Sequence, residues 1–209
     1  MTDGDTPSAA GEPLRGREPS IIGGVMRGTH HLLGLSTGLA VAAASGWGWP
    51  QAAAGAFLAG VTAAGPLSPD MDQYRSWRRL DRWVPDELLG AGGPLQHRGL
   101  SHWWGLPALA CLLPFLLPGP LQWMAWCLVA GWASHLLGDL AFGKADPFSG
   151  RGPGIPVWPW WGHVGVGLDT GGFLEGLTSA LVLPAALMWQ SWGLVQPVVA
   201  PLFAAFAAR

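Results

Sequence analysis

Six apolar stretches alternate with polar segments along the chain: His31–Trp49, Pro50–Leu67, Trp103–Pro118, Leu121–Phe142, Gly172–Trp189 and Trp192–Ala208. Each lies near the lower limit of the about 17–25 residues that a bilayer-spanning helix needs. They pair into hairpins through three tight turns, Gly46-Trp47-Gly48-Trp49-Pro50, Pro118-Gly119-Pro120 and Gln190-Ser191-Trp192-Gly193. Glycine and proline punctuate helices in this way. The pattern predicts an all-α fold, a polytopic membrane helical bundle of about six short spans arranged as hairpins. Residues 1–25 are largely polar and rich in Gly, Pro and acids, and they read as a disordered N-terminal tail. No apolar run follows a basic start there, so the tail does not resemble a signal peptide. Residues 26–209 then form a single membrane-embedded helical domain.

The charges sharpen this layout. None of the 11 Lys/Arg or 13 Asp/Glu residues falls in the three tight turns. Arg15, Arg17 and Arg27 precede the first stretch; Arg75, Arg78, Arg79, Arg82 and Arg98 separate the second and third; Lys144 and Arg151 separate the fourth and fifth; Arg209 ends the chain. Basic residues in short loops mark the cytoplasmic side. The expected location is the inner (plasma) membrane, multi-pass, with both termini cytoplasmic. Between Tyr74 and Leu89, Trp77, Leu80, Trp83 and Val84 recur at helical spacing among the arginines. That spacing fits either a short amphipathic helix on the membrane surface or a solvated charged loop.

Composition agrees. Apolar residues make up 50% of the chain and charged residues 11%, against the about 25% charged that soluble domains carry. Trp occurs 14 times and Tyr once, and Trp favours the water–lipid boundary. The mean hydropathy is only +0.30, because the stretches rely on Ala and Gly. A net charge of -2 argues against nucleic acid as a partner, which leaves the lipid bilayer. Cys111 and Cys127 both sit inside apolar stretches and read as small buried hydrophobes.

The hairpin layout brings a particular set of side chains to one level. His30 and His31 open the first stretch, Asp70 and Asp72 follow the second, His97 and His102 precede the third, and His135 and Asp139 end the fourth. His and carboxylate are the residue types that bind zinc or manganese. His135 and Asp139 are four apart, hence on one helical face, as a ligand pair or as a hydrogen-bonded cap. Ser68-Pro69-Asp70 also reads as an ordinary helix start, and Ser101 as a cap for the third stretch. Arg98 is either a positive-inside anchor or a bidentate clamp for an anionic substrate group. His163, Asp169 and Glu175 carry no assignment, although Glu175 could enter the site from the start of the fifth stretch.

The ordered motifs, Thr29-His30 with Gly34, Pro69-Asp70-Met71-Asp72, His97-Arg98-Gly99-Leu100-Ser101-His102, and Ser134-His135 with Asp139, resemble those of the predicted membrane-bound metal-dependent hydrolases. That family is also called the LexA-binding, inner-membrane-associated hydrolases. The resemblance runs from about Met26 to Trp160. It implies His30, Asp70, Asp72, His97, His102, His135 and Asp139 as metal ligands, preferring His30 to His31. Pro156-Val157-Trp158-Pro159 looks like a Gly/Pro/aromatic loop that often follows the fourth motif. Trp103 departs from the pattern, since members often have Ser there. The implied function is a metal-dependent hydrolase at the inner membrane face, using zinc or else manganese, with Arg98 catalytic and an amphiphilic or phosphate-bearing substrate. The competing reading is a non-catalytic metal-binding membrane protein, a metal carrier or structural partner. Mid-span residues are Ala, Leu, Gly and Val, which counts against transport, since transporters place polar groups near mid-membrane.

Overall fold

In the computed structural model, the structure describes residues 21–73, 85, 88, 98–143, 154–158, 161–168 and 172–207. The tail at residues 1–20 and nearly all of the Tyr74–Leu89 segment lie outside them. Two long helices open the chain, α1 (Ile21–Ala44) and α2 (Trp49–Ala64). The turn between them uses Gly46 at φ 67, a left-handed conformation that glycine adopts without a Cβ penalty. Pro50 then sits in the first turn of α2, where its missing N–H costs nothing. A 3-10 turn, Pro69–Gln73, follows α2. After a second 3-10 turn, Leu100–His102, come the short helices α3 (Gly105–Ala110) and α4 (Leu113–Leu116). The central helix α5 (Pro120–Phe142) follows. Strands β1 (Ile155–Trp158) and β2 (Trp161–Val164) pair antiparallel, with Pro156 opposite His163. Helix α6 (Phe173–Leu177) runs through a π-helical turn, Thr178–Val182, into α7 (Leu183–Ala207).

The architecture is mostly helical, as expected, with α1, α2 and α5 packed on one another and α7 lying along α1. The buried apolar residues are mainly small, among them Ala42, Ala52, Ala56, Ala59 and Ala63. Large ones such as Phe57, Phe115, Trp189, Phe203 and Phe206 face outward. In lipid, helices gain little by hiding large apolar groups and associate through close backbone packing. Glycine makes that approach here. A Cβ on Gly34 would meet Ala63 Cβ and the Ala59 carbonyl, and one on Gly131 would meet Thr62 Oγ1 and the Ala59 carbonyl.

The expectation of about six spans is corrected in three places. Among the described residues, two helices are long and apolar enough to cross a membrane, Pro120–Phe142 and Phe173–Phe206. The first two stretches do form a hairpin, but α2 has 16 residues and α1 carries Arg27, His30 and His31 within its length. The third stretch is broken at Cys111-Leu112. The fifth and sixth are one continuous helix. Gln190-Ser191-Trp192-Gly193 stays helical because a lone glycine costs only about 1 kcal/mol in a helix. Both sides of the supposed turn are also held: Ser36 Oγ donates to Gln190 Oε1 at 3.0 Å, and Leu187 and Leu194 pack against Leu39, Ala42, Ala52 and Ala56. The expected return of the chain to the charged side at Arg209 therefore loses the hairpin it required. The β-hairpin is a further difference, occupying ground expected to be loop.

Candidate metal centre

Close packing of α1, α2 and α5 brings the polar residues together at one end of the bundle. His30 comes from α1, Asp70 from the 3-10 turn after α2, His102 from the second 3-10 turn, and His135 and Asp139 from the last turns of α5. All but Asp70 are almost fully buried. Three of them form a nearly equilateral triangle. His102 Nε2 lies 3.4 Å from His135 Nε2, and Asp139 Oδ2 lies 3.4 Å from each. Asp70 Oδ1 stands beside this triangle, 3.1 Å from His102 Nε2 and 3.9 Å from His135 Nε2. On the other side of Asp139, its Oδ1 faces His30 Nε2 at 3.4 Å and an Arg98 guanidinium nitrogen at 3.5 Å. The His30 ring stacks on His135 with centroids 4.1 Å apart, and it lies so close to Gly138 that a Cβ there would touch it.

The 3.4 Å sides of the triangle are longer than charge-assisted N–H···O⁻ bonds, which run about 2.7–2.9 Å. Neither buried oxygen of Asp139 makes a hydrogen bond, nor does His30 Nδ1. A buried carboxylate left in that state costs several kcal/mol. The spacing does suit ligands around one ion. Zinc bonds of about 2.0–2.1 Å to N and O place tetrahedral ligands about 3.4 Å apart, and the donor set fits a borderline divalent metal.

The supporting contacts set these groups in ligating form. His135 Nδ1 donates to the Ala63 carbonyl at 2.6 Å. That bond holds the proton on Nδ1 and leaves the Nε2 lone pair for the site. Burial pushes the His102 imidazole below its ordinary value, against the pull of its Asp70 contact. Burial alone would raise the Asp70 carboxyl, but the His102 hydrogen bond and the neighbouring imidazole charges outweigh it and hold the group well below the usual carboxylate range. Neutral imidazole and ionised carboxylate are the forms that bind metal. The C-terminal end of α5, with its partial negative charge, also favours a cation. Its last carbonyls are engaged: Asp139 O accepts from Gly143 N, Leu140 O from Val166 N, and Ala141 O from Leu168 N.

Of the expected ligands, the structure brings together His30, Asp70, His102, His135 and Asp139, with Arg98 beside them. His97 and the side chain of Asp72 lie outside the described residues. The expected caps take other roles. Ser101 Oγ lies 3.1 Å from His102 Nδ1, while its carbonyl accepts from Trp132 Nε1. Ser68 Oγ is buried and caps nothing. Sequence reasoning left two residues unassigned that matter here. Glu175 is buried and accepts a 2.9 Å hydrogen bond from Thr29 Oγ1, next to His30. His163 is buried and its Nε2 donates to the Arg98 carbonyl at 3.2 Å, steadying a residue held at φ 62. A non-glycine residue in that left-handed region is strained and is found where the surroundings over-determine it. Trp103, the departure from the expected motif, donates from Nε1 to Val157 O, as does Trp104. The indoles thus fasten β1 beside the centre.

The model of the YdjM inner membrane protein family matches residues 25–209 of this chain. The chain belongs to that family. Comparisons with curated proteins and with solved structures gave no match. Membership places the chain among inner membrane proteins, which the short, small-residue helices and outward-facing aromatic side chains fit. The sequence resemblance reached further, to metal-dependent hydrolysis and LexA binding; the family description carries neither. Within this family framework, the clustered His and Asp residues are a group that could hold a metal ion.

Proposed function

We propose that this inner membrane protein is a metal-dependent hydrolase whose centre faces the cytoplasm and acts on a phosphate-bearing amphiphile. The observation that carries the reading is the unsatisfied Asp139 carboxylate inside the 3.4 Å triangle with His102 and His135. Three protein ligands leave a coordination position open, the arrangement of catalytic rather than structural zinc sites. A bound divalent ion supplies Lewis acidity and brings the pKa of a water toward neutrality. Asp70, the most exposed carboxylate of the group, stands 3.1 Å from His102 Nε2 and would orient a group held at the open position. His30, beyond Asp139, would steady that carboxylate through the 3.4 Å contact of its Nε2 with Oδ1. Arg98 neutralises Asp139 Oδ1 at rest and puts a cation beside the site, where an anionic substrate oxygen would meet it.

Metal analysis followed by a screen of phosphoester and amide substrates tests this reading. A metal-loaded protein inactive on every substrate would favour the non-catalytic metal protein. Arg98→Lys keeps the charge and loses the planar fork. It should leave membrane insertion and metal content unchanged and lower kcat/KM about tenfold or more, the scale of ~1.4 kcal/mol. Full activity in Arg98→Lys would reduce Arg98 to a topological anchor.

In the sequence, basic residues fall mainly in the segments that flank the His/Asp motifs, and by the positive-inside rule the end that carries these motifs is assigned to the cytoplasm. Because α6–α7 is continuous, its Ala207 end then lies on the opposite side. Reporter fusions at Gly119 and after Ala207 should therefore report the outer side, and one at Asp86 the cytoplasm. A cytoplasmic signal after Ala207 would restore the terminal hairpin.

A further inference from the structure

A cavity of about 310 Å³ lies between α2, α3–α4 and α5, lined by Thr62, Leu67, Met71, Pro107, Leu113 and Val129 among others. Its one polar lining side chain, Thr62, already donates within its own helix to the Leu58 and Ala59 carbonyls. The cavity therefore offers a polar guest no free hydroxyl proton, and its walls are otherwise almost wholly apolar. Its floor is buried at Thr62, Pro107 and Val129, while its rim reaches the outer surface at Leu67 and Leu113. One end abuts the metal centre. Met71 follows Asp70, Thr62 precedes the residue whose carbonyl holds His135, and Trp132 bonds the carbonyl of Ser101 beside His102. The other end lies at Leu113 and Leu128. Leu128 is 11 residues before Asp139 on α5, about 16 Å along the helix axis, deep in the apolar layer. The slot thus runs along the bundle axis from the charged site into the membrane interior, the direction in which a lipid chain lies.

The break at Cys111-Leu112 helps make this possible. The two short helices either side of the break each give the slot a wall, Pro107 and Ala110 from α3 and Leu113 from α4. In a bilayer, an apolar slot open at the side does not stay empty, because unfilled volume forfeits dispersion contacts on every lining atom. Slot and site together are complementary to an amphiphile: apolar walls below, an Arg98 cation and a metal-ligating cluster above.

We infer that this cavity is an acyl-chain subsite, which seats one chain of an anionic membrane phospholipid so that its phosphate-bearing headgroup meets the His102–His135–Asp139 centre. The inference rests on the hydrolase reading for what becomes of the headgroup, but not for the occupancy of the slot.

The test uses the full chain in vesicles of phosphatidylethanolamine and phosphatidylglycerol doped with phosphatidylglycerol carrying a mid-chain diazirine. After illumination, peptide mass spectrometry reads where the chain attaches. The expected result is labelling of the buried floor around Val129, which lipids on the outer surface do not reach, together with general labelling at Phe203 and Phe206. Ala110→Trp, or separately Leu128→Trp, fills the slot and should abolish floor labelling while leaving the Phe203 signal unchanged. A diazirine fatty acid without the phosphate headgroup should label the floor more weakly. Floor labelling absent from the parent protein, or unchanged in a folded slot-filling variant, overturns the inference. The two readings fail separately. Floor labelling without turnover of any substrate sinks the hydrolase alone, whereas turnover of soluble phosphoesters with an unlabelled floor sinks the lipid subsite alone.

Discussion

Protein purified in detergent should retain about one equivalent of a divalent transition metal, zinc ahead of manganese, and Asp139→Asn should retain none after the same washing. One ion is expected from the described residues because both candidate groups, His30–His135–Asp139 and Asp70–His102–His135, draw on His135. Its Nδ1 is engaged by Ala63, so a single Nε2 remains to give. The substitution keeps the side-chain shape and removes the anionic oxygen pair that faces three imidazoles and Arg98. Loss of a supporting group around a metal costs about 10–100-fold in affinity; loss of a direct ligand should exceed that. His135→Ala should behave the same way. Chelation should lower the melting temperature of the parent, since an ion bound only by the folded state stabilises it, and should leave that of Asp139→Asn unmoved. Elemental analysis with thermal unfolding reads both. If Asp139→Asn binds metal like the parent, the His135–Asp139 pair is a structural cap and the centre is misassigned.

Gly131→Leu should damage the same centre from a distance. Gly131 lies one turn before His135 on the face of α5 that meets α2. Even a Cβ at this position would collide with Thr62 Oγ1, the Ala59 carbonyl and Ala59 Cα. Replacing glycine in a helix gains about 1 kcal/mol from propensity, but overpacking a close contact costs about 1–3 kcal/mol, and leucine adds three more carbons to the overlap. The helices must separate, and the 2.6 Å bond from His135 Nδ1 to Ala63 O cannot follow. The expected outcome is a lower melting temperature together with loss of bound metal, although no ligand has changed. Gly28→Ala is the control. A Cβ there meets nothing within 4 Å, so it should be neutral or slightly stabilising with metal content intact. Equal metal content in Gly131→Leu and Gly28→Ala would show that the α2–α5 contact does not set the site.

The motifs that announced a site in the sequence look different once their neighbours are known. Thr29 precedes His30 because its hydroxyl reaches Glu175 across the bundle, a partner 146 residues away that no local pattern could reveal. Gly34 follows His30 by one turn because α2 passes there. Arg98 read as an anchor or a clamp; its backbone is left-handed, and its carbonyl is held by His163. His163 had no local signal, since its role depends on a two-stranded hairpin that helical periodicity could not predict.

The sequence by itself determined that the chain is a mostly helical membrane protein. Apolar run length, Trp usage and charge asymmetry are local properties that the bilayer reads directly. Of the seven residues the motifs singled out, five (His30, Asp70, His102, His135 and Asp139) stand together in the structure, because the α1–α2 hairpin and the end of α5 return to one level. Only the tertiary structure decided the number of crossings. Whether Gln190–Gly193 bends or stays helical turns on a marginal local preference, and the contacts with Ser36 and the α1–α2 core outweigh it. Only the tertiary structure, too, separated the His102–His135–Asp139 triangle from the flanking Asp70, His30 and Arg98. How closely these side chains stand to one another is set by how closely the glycine faces of the helices approach.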